Sequence, residues 1–111
     1  INIVQYVFDD PIHADAEINE RLEYMLKWNS VVLCEQGGEE IGTQRMALKY
    51  SEEILNPLFV FGSESHGIPE TVANNPHFYK VSIPQRGVMR SFNVSAAMNI
   101  IVWDYLKEIV L

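Results

Sequence analysis

The sequence predicts an α/β fold in one domain of 111 residues, with a mostly parallel sheet and helices on both faces. Short, continuously apolar runs, typical of strands covered on both sides, alternate with segments of helical periodicity. A chain in which strands and helices alternate in this way usually forms a parallel sheet between helical layers. The composition, with 48% apolar residues, is that of an ordinary globular domain.

Each predicted element rests on its own local pattern. Strands are predicted at residues 1–8, 30–35, 57–62 and 77–83. Helices are predicted at residues 15–27, in part of 43–56, from Pro69 onward, and from about 93 to 108. Pro69 suits a first helical turn and Glu70 suits the positive end of the helix dipole. The stretch 36–42, "QGGEEIG", is predicted to be a loop.

Charge and cysteine content limit the possible functions. The net charge is −7, and residues 1–44 hold nine acids against two bases, whereas the remainder is neutral. Such a balance weakens a nucleic-acid hypothesis without excluding it, because local basic patches set phosphate contacts. The lone Cys34 is interpreted as a structural thiol in a buried strand, which fits a reducing, cytoplasmic compartment. Asn99 and Asp104 interrupt the last apolar helix, so no membrane span is expected, and no secretory leader is recognised.

Two polar loops follow predicted strands directly. The first, "GSESHG" at 62–67, is either a strand-to-helix turn or a ligand loop. Glu64 favours the ligand loop, because a carboxylate there needs amide or arginine partners. His66 is either a base or a solvated side chain.

The second loop, Pro84 to Ser91, also has two interpretations. Ser91 or Asn93 caps the last helix, or the same groups form the floor of a binding site. The carboxyl ends of parallel strands meet at one edge of a sheet, where ligands bind in such folds, so both loops are expected there. Spacing alone leaves the two interpretations open.

Together these loops resemble two motifs of the SpoU/TrmH family of RNA ribose 2′-O-methyltransferases. The first motif is "FVFGSESHGIP" and the second is "IPQRGVMRSFNVS", followed by an apolar helix. The matching residues are Gly62, Glu64, Gly67, Ile68, Ile83, Pro84, Gly87, Ser91, Asn93, Val94 and Ser95. The second motif is especially similar to the eukaryotic branch that methylates a tRNA guanosine.

The resemblance implies a C-terminal trefoil knot that cradles S-adenosylmethionine, with no metal ion required. The residues it implies at the reacting centre are Glu64, Ser91 and Asn93. The residues it implies for cofactor binding are Gly62, Ile83, Gln85, Gly87 and Phe92. It further implies an RNA substrate, most often tRNA, and a homodimer formed through the C-terminal helix.

One part of the family pattern is not found. The family carries an arginine in an N-terminal motif that helps to deprotonate the ribose hydroxyl, and the chain is expected to begin after that motif, without the first strand. Arg86 and Arg90 are better placed for RNA phosphates, or are simply exposed. An alternative is therefore a catalytically inactive binding or dimerisation module derived from such an enzyme. A flavodoxin-like domain that binds another nucleotide is a third, weaker alternative.

Overall fold

The structure, a computed structural model, describes residues 2–5, 11–62, 67–84 and 94–109, and only the backbone of 2–5, 11–15 and 94–95. Strands and helices alternate along the chain, as predicted. The strands are β1 (Asn2–Gln5), β2 (Val31–Glu40), β3 (Leu58–Phe61) and β4 (Tyr79–Ser82). The helices are α1 (Pro11–Met25), α2 (Gln44–Glu52), α3 (Glu70–Ala73) and α4 (Val94–Ile109).

The four strands form one fully parallel sheet in the order β1-β3-β2-β4. The connections through α1 and α3 run in the same direction across the sheet, and the connection through α2 runs back. Because crossovers between parallel strands are right-handed in nearly all proteins, α1 and α3 belong on one face and α2 on the other. The predicted α/β fold with a parallel sheet is confirmed.

Two apolar clusters occupy the two faces of the sheet. The cluster on the α1 and α3 face consists of Ile18, Leu22, Val31, Leu33, Leu58, Val60, Ile68, Val72 and Phe78. The cluster on the α2 and α4 face consists of Val32, Ile41, Met46, Tyr50, Ile54, Phe59, Phe61, Val81, Ile101 and Tyr105. Successive residues of β2 and β3 alternate between the clusters, as the pleat of a strand requires. Burial of each large side chain contributes roughly 1.5–3 kcal/mol, so these layers hold the sheet edge that carries the predicted site.

Helix α2 begins where its sequence provides a cap. The hydroxyl of Thr43 accepts a hydrogen bond from the Met46 amide at 3.0 Å, which satisfies one of the free donors of the first turn. Gly42 precedes it with a φ of 79°, a conformation that suits glycine. The turn between β2 and α2 is therefore tightly specified by its residues.

A polar cluster joins α1 to the turn before β4. Asn75 is buried, and its side-chain amide donates to Asn19 and to Glu23. The His77 ring nitrogen Nδ1 lies 3.2 Å from the Glu23 carboxylate. Hydrogen bonds from Asn75 and then His77 lower the pKa of Glu23 below its ordinary value.

One predicted element is wrong and several have shifted bounds. The predicted loop 36–42 is largely strand, because β2 continues to Glu40 after an interruption at its two glycines. Helix α1 begins four residues earlier and ends two earlier than predicted, and residues 1 and 6–8 of the predicted first strand lie outside the described residues. The knot also stays a prediction, since residues 85–93 are not described. None of the helices in the described ranges has the length and apolarity needed to cross a membrane.

Candidate cofactor site

The strand register creates one row of residues at the carboxyl edge of the sheet. Cys34 of β2 pairs with Phe61 of β3 on one side and with Val81 of β4 on the other. Gly62 and Ser82, which follow Phe61 and Val81, therefore lie at the same level of the sheet. Gly62 and the neighbour of Ser82, Ile83, are predicted site residues, so the topology brings the two motifs to the same edge as expected.

The loop after β3 is closed at its base by contact between two glycine backbones. A Cβ atom on Gly62 would lie 2.1 Å from the carbonyl carbon of Gly67 and 2.3 Å from its oxygen. Gly67 has a φ of 68°, where a side chain is strained. Both glycines of "GSESHG" are thus required by the geometry, although residues 63–66 between them, including Glu64 and His66, lie outside the described residues.

A large bulge in β2 forms the facing wall. Cys34 and Glu39 both pair with Val81, so residues 35–38 leave the ladder between them. Gly37 has a φ of 89°, and a Cβ atom on Gly38 would lie 2.7 Å from the backbone of β4. The bulge consequently rests directly on β4.

Ser82 ties the bulge to β4. Its hydroxyl donates to the Gly38 carbonyl at 2.8 Å, and its own carbonyl accepts from the Ile41 amide at 3.0 Å. Ser82 is buried, so these bonds are protected from water. The two glycines at 37 and 38 were the sequence signal for this bulge, since glycine inside a strand often marks one.

Between the bulge, β4 and α4 lies a cavity of about 100 Å³. Its lining residues are Cys34, Glu35, Gln36, Ser82, Ile83, Ala97 and Ile101. Of these, only Ile83 was predicted from the sequence. The others were missed because they come from the strands β2 and β4, from the bulge and from α4, at positions that carry no local signal for a ligand.

Burial governs the titration of two groups beside the cavity. It raises the pKa of the Cys34 thiol far above its ordinary value, so the thiol is protonated at neutral pH and is a poor nucleophile. It also raises the pKa of Glu35, an effect that the charge of Lys80 partly offsets. Among the described residues, no three His, Cys, Asp or Glu side chains converge on a point that could hold a metal ion.

Six of the predicted site residues are not described, so their roles stay predictions. They are Glu64, Gln85, Gly87, Ser91, Phe92 and Asn93. Helix α4 begins at Val94, directly after the predicted cap or floor residues.

Solved structures share this fold. A Bacillus anthracis protein assigned as an RNA methyltransferase superposes with a TM-score of 0.64 at 22% identity, over 96% of this chain and 76% of that one. The SpoU methyltransferase AviRb from Streptomyces viridochromogenes superposes with a TM-score of 0.58 at 18% identity, over 84% of this chain and 35% of AviRb. At these identities the likeness shows the fold alone.

Sequence comparison goes further. A Mycoplasma genitalium protein assigned as a tRNA (cytidine(34)-2′-O)-methyltransferase is 36% identical over 50 residues, which are 45% of this chain and 30% of the relative. The chain thus matches less than a third of that protein's length. A family model described as the SpoU rRNA Methylase family matches residues 12–103, a span that includes the carboxyl-edge cavity. Because this match covers most of the 111 residues, the chain belongs to the SpoU rRNA methylase family.

Proposed function

We propose that the chain forms the cofactor-binding part of an enzyme that transfers a methyl group from S-adenosylmethionine to a ribose 2′-hydroxyl of RNA. The observation that carries the proposal is the cavity at the carboxyl edge of the sheet. Ile83 of the second motif lines it, and Cys34 of its lining pairs with Phe61 of the first motif. Membership of the SpoU family supports the activity.

Transfer RNA is the proposed substrate class. One relative is assigned as a tRNA (cytidine(34)-2′-O)-methyltransferase, and a structure titled for the 2-OH methylation of C/U34 on tRNA shares the fold with a TM-score of 0.58. That solved structure is 24% identical in sequence to this chain, and the superposition covers 79% of this chain and 53% of the other. The cytoplasm is the proposed compartment. The similarity of the second motif to the eukaryotic branch that methylates a tRNA guanosine stays a prediction.

The cavity fits one part of the cofactor. At about 100 Å³ it is smaller than typical small-molecule sites of roughly 300–1,000 Å³. Ile83, Ala97 and Ile101 supply apolar walls of the kind that hold a flat adenine ring, and the bulge supplies a polar rim. The remainder of the cofactor site is assigned to the loops 63–66 and 85–93, in accordance with the motif residues predicted there.

The chemistry makes modest demands on the protein. S-adenosylmethionine supplies an already activated methyl group on a sulfonium centre. The chain's own task is to hold the acceptor hydroxyl in line and to help its proton leave, which are effects of positioning and general-base catalysis. The predicted residues for this task are Glu64, Ser91 and Asn93. The protonated state of Cys34 suits the same site, since a thiolate beside an electrophilic methyl group would compete with the RNA.

A homodimer through α4 is the proposed assembly. Trp103 is 58% exposed and Ile100 is 37% exposed, one turn apart on the helix. Ile101 and Tyr105 of the same helix are buried in the core, which leaves the exposed pair as the candidate interface. Sedimentation should show a dimer for the native chain and a monomer for Trp103→Glu. A native monomer would contradict the proposed interface.

Calorimetric titration with S-adenosylhomocysteine, the demethylated product, tests the cofactor site directly. Binding with one site per chain is expected, and Asn93→Ala is expected to reduce methyl transfer to tRNA transcripts sharply in the full-length protein. Lys27→Ala, on the opposite edge of the sheet, provides a control that should bind and react normally. A folded protein that binds neither S-adenosylhomocysteine nor S-adenosylmethionine would favour the inactive binding or dimerisation module.

A further inference from the structure

Asp104 is a buried carboxylate in the second half of α4. It is 6% exposed, and burial of a carboxylate is costly unless hydrogen bonds or an opposite charge compensate. Oxygen Oδ2 accepts a hydrogen bond from the Gly42 amide at 3.3 Å, and Oδ1 lies 3.2 Å from the Lys107 ammonium. Lys107 is on the same helix, whereas the bond to Gly42 connects α4 to the turn between β2 and α2.

A third polar group lies beside the same carboxylate. The hydroxyl of Tyr50 on α2 is buried and has no hydrogen-bond partner of good geometry among the described residues. Burial raises the pKa of Tyr50, and the nearby charge of Asp104 raises it further, so the hydroxyl keeps its proton. The ring of Tyr50 packs edge-on against that of Tyr105, with 5.3 Å between centroids. Asp104 thus lies where α2, α4 and the turn after β2 meet.

The bond to Gly42 continues into the wall of the cavity. Gly42 follows Ile41, whose amide donates to the Ser82 carbonyl, and the Ser82 hydroxyl in turn holds the bulge at Gly38. A chain of hydrogen bonds therefore runs from α4 through the turn to β4 and the bulge.

The same helix supplies the opposite wall of the cavity. Ile101, which lines the cavity, precedes Asp104 by three residues, so both lie on the same side of α4 and about 4.5 Å apart along its axis. Apolar packing alone would allow α4 to slide or rotate slightly, whereas a hydrogen bond to a carboxylate is directional.

We propose that Asp104 is a positioning residue for the cofactor site: its bond to the Gly42 amide sets the spacing between α4 and the bulged strand, and so the width of the cavity. This inference rests on the proposed function, because it concerns the cavity that takes part of S-adenosylmethionine. Asp104 does not line that cavity and acts through Ile101 and Ala97.

The test compares Asp104→Ala, which removes the acceptor of the Gly42 amide, with two controls, by calorimetric titration with S-adenosylhomocysteine and by urea unfolding. Glu108→Gln removes an exposed acid from the same helix, and Val72→Ala destabilises the core on the other face of the sheet. Asp104→Ala is expected to weaken binding about tenfold, the effect of losing one hydrogen bond to a charged group. Both controls should bind as the native chain does, although Val72→Ala unfolds at a lower urea concentration. A merely structural role would give Asp104→Ala and Val72→Ala the same, unchanged affinity.

The outcomes separate this inference from the proposed function. Native-like affinity of Asp104→Ala, measured beside a native chain that binds, overturns the positioning role alone. A native chain that does not bind overturns the proposed function and the positioning role with it. If Asp104→Ala does not fold, Asp104→Asn decides, because its amide oxygen is an acceptor for the Gly42 amide that lacks the negative charge. An affinity about threefold weaker supports the role, and an unchanged affinity overturns it.

Discussion

Replacing Gly62 with alanine tests whether two glycine backbones in contact close the loop after β3. The new methyl group would lie 2.1 Å from the Gly67 carbonyl carbon, whereas ordinary contacts begin at 3.4 Å. The two backbones must therefore separate by more than 1 Å, and no flexible side chain is available to move instead. Overpacking of this kind costs about 3 kcal/mol when backbone must shift, a large fraction of the roughly 5–15 kcal/mol that stabilises a domain.

Gly37→Ala provides the matched control. Gly37 has a φ of 89° but no atom within 4 Å of the added Cβ, so alanine there meets conformational strain without a clash. That strain costs roughly 1–2 kcal/mol. Urea unfolding at neutral pH measures both variants, and titration with S-adenosylhomocysteine measures whether the opened loop still forms the site. We expect Gly62→Ala to be the less stable and to bind at least tenfold more weakly, by about 1.4 kcal/mol. Equal stability of the two variants would refute the argument from backbone contact.

Three further predictions follow from individual contacts. The pKa of Glu23 is lowered in the folded state, so its contribution to stability is full above the ordinary pKa of 4.5 and is lost as the pH falls through the folded pKa. Between about pH 6 and pH 3, the urea concentration at the unfolding midpoint should therefore fall less for Glu23→Gln than for the native chain. Glu20→Gln is the control and should behave as the native chain does. Ser82→Ala leaves a bulge carbonyl without its donor and should cost about 1–2 kcal/mol in urea unfolding, whereas the exposed Ser51→Ala should cost far less; equal losses would contradict the buried bond. Cys34 should react slowly with iodoacetamide at about pH 8 and more slowly still with S-adenosylhomocysteine bound. Reaction at the rate of the unfolded chain would contradict its burial.

The sequence predicted the sheet well because its signals are local. The strands β2 and β3 are recognisable as short, continuously apolar runs because both faces of the sheet are covered by helices. Thr43 before α2 is an ordinary N-cap residue. The second half of β2 was missed for a physical reason. Its pairing is decided by β4, some forty residues later, whereas Gly37 and Gly38 locally favour a turn.

Some residues of the candidate site were likewise predicted from the sequence, and others were found only in the structure. Gly62 and Ile83 were predicted from the resemblance to the family motifs, whose residues stand in a fixed order at the ends of two strands. Asp104 and Ser82 could not, because a buried polar residue gains its role from a partner that is distant in sequence. Periodicity places Asp104 on a helix and marks it as an interruption of an apolar stripe, but only the fold identifies the amide it binds.

The strand pairing on either side of the bulge indicates what a deletion of the bulge would do. Cys34 pairs with Val81, and Glu40 pairs with the next residue, Ser82. Removal of the five residues 35–39 would therefore join two positions that already follow each other on β4, and would leave an unbroken strand with every side chain on its present face. Glu35 and Gln36 of this segment line the cavity. We therefore expect the shortened chain to keep its four paired strands and to lose one wall of the proposed cofactor site.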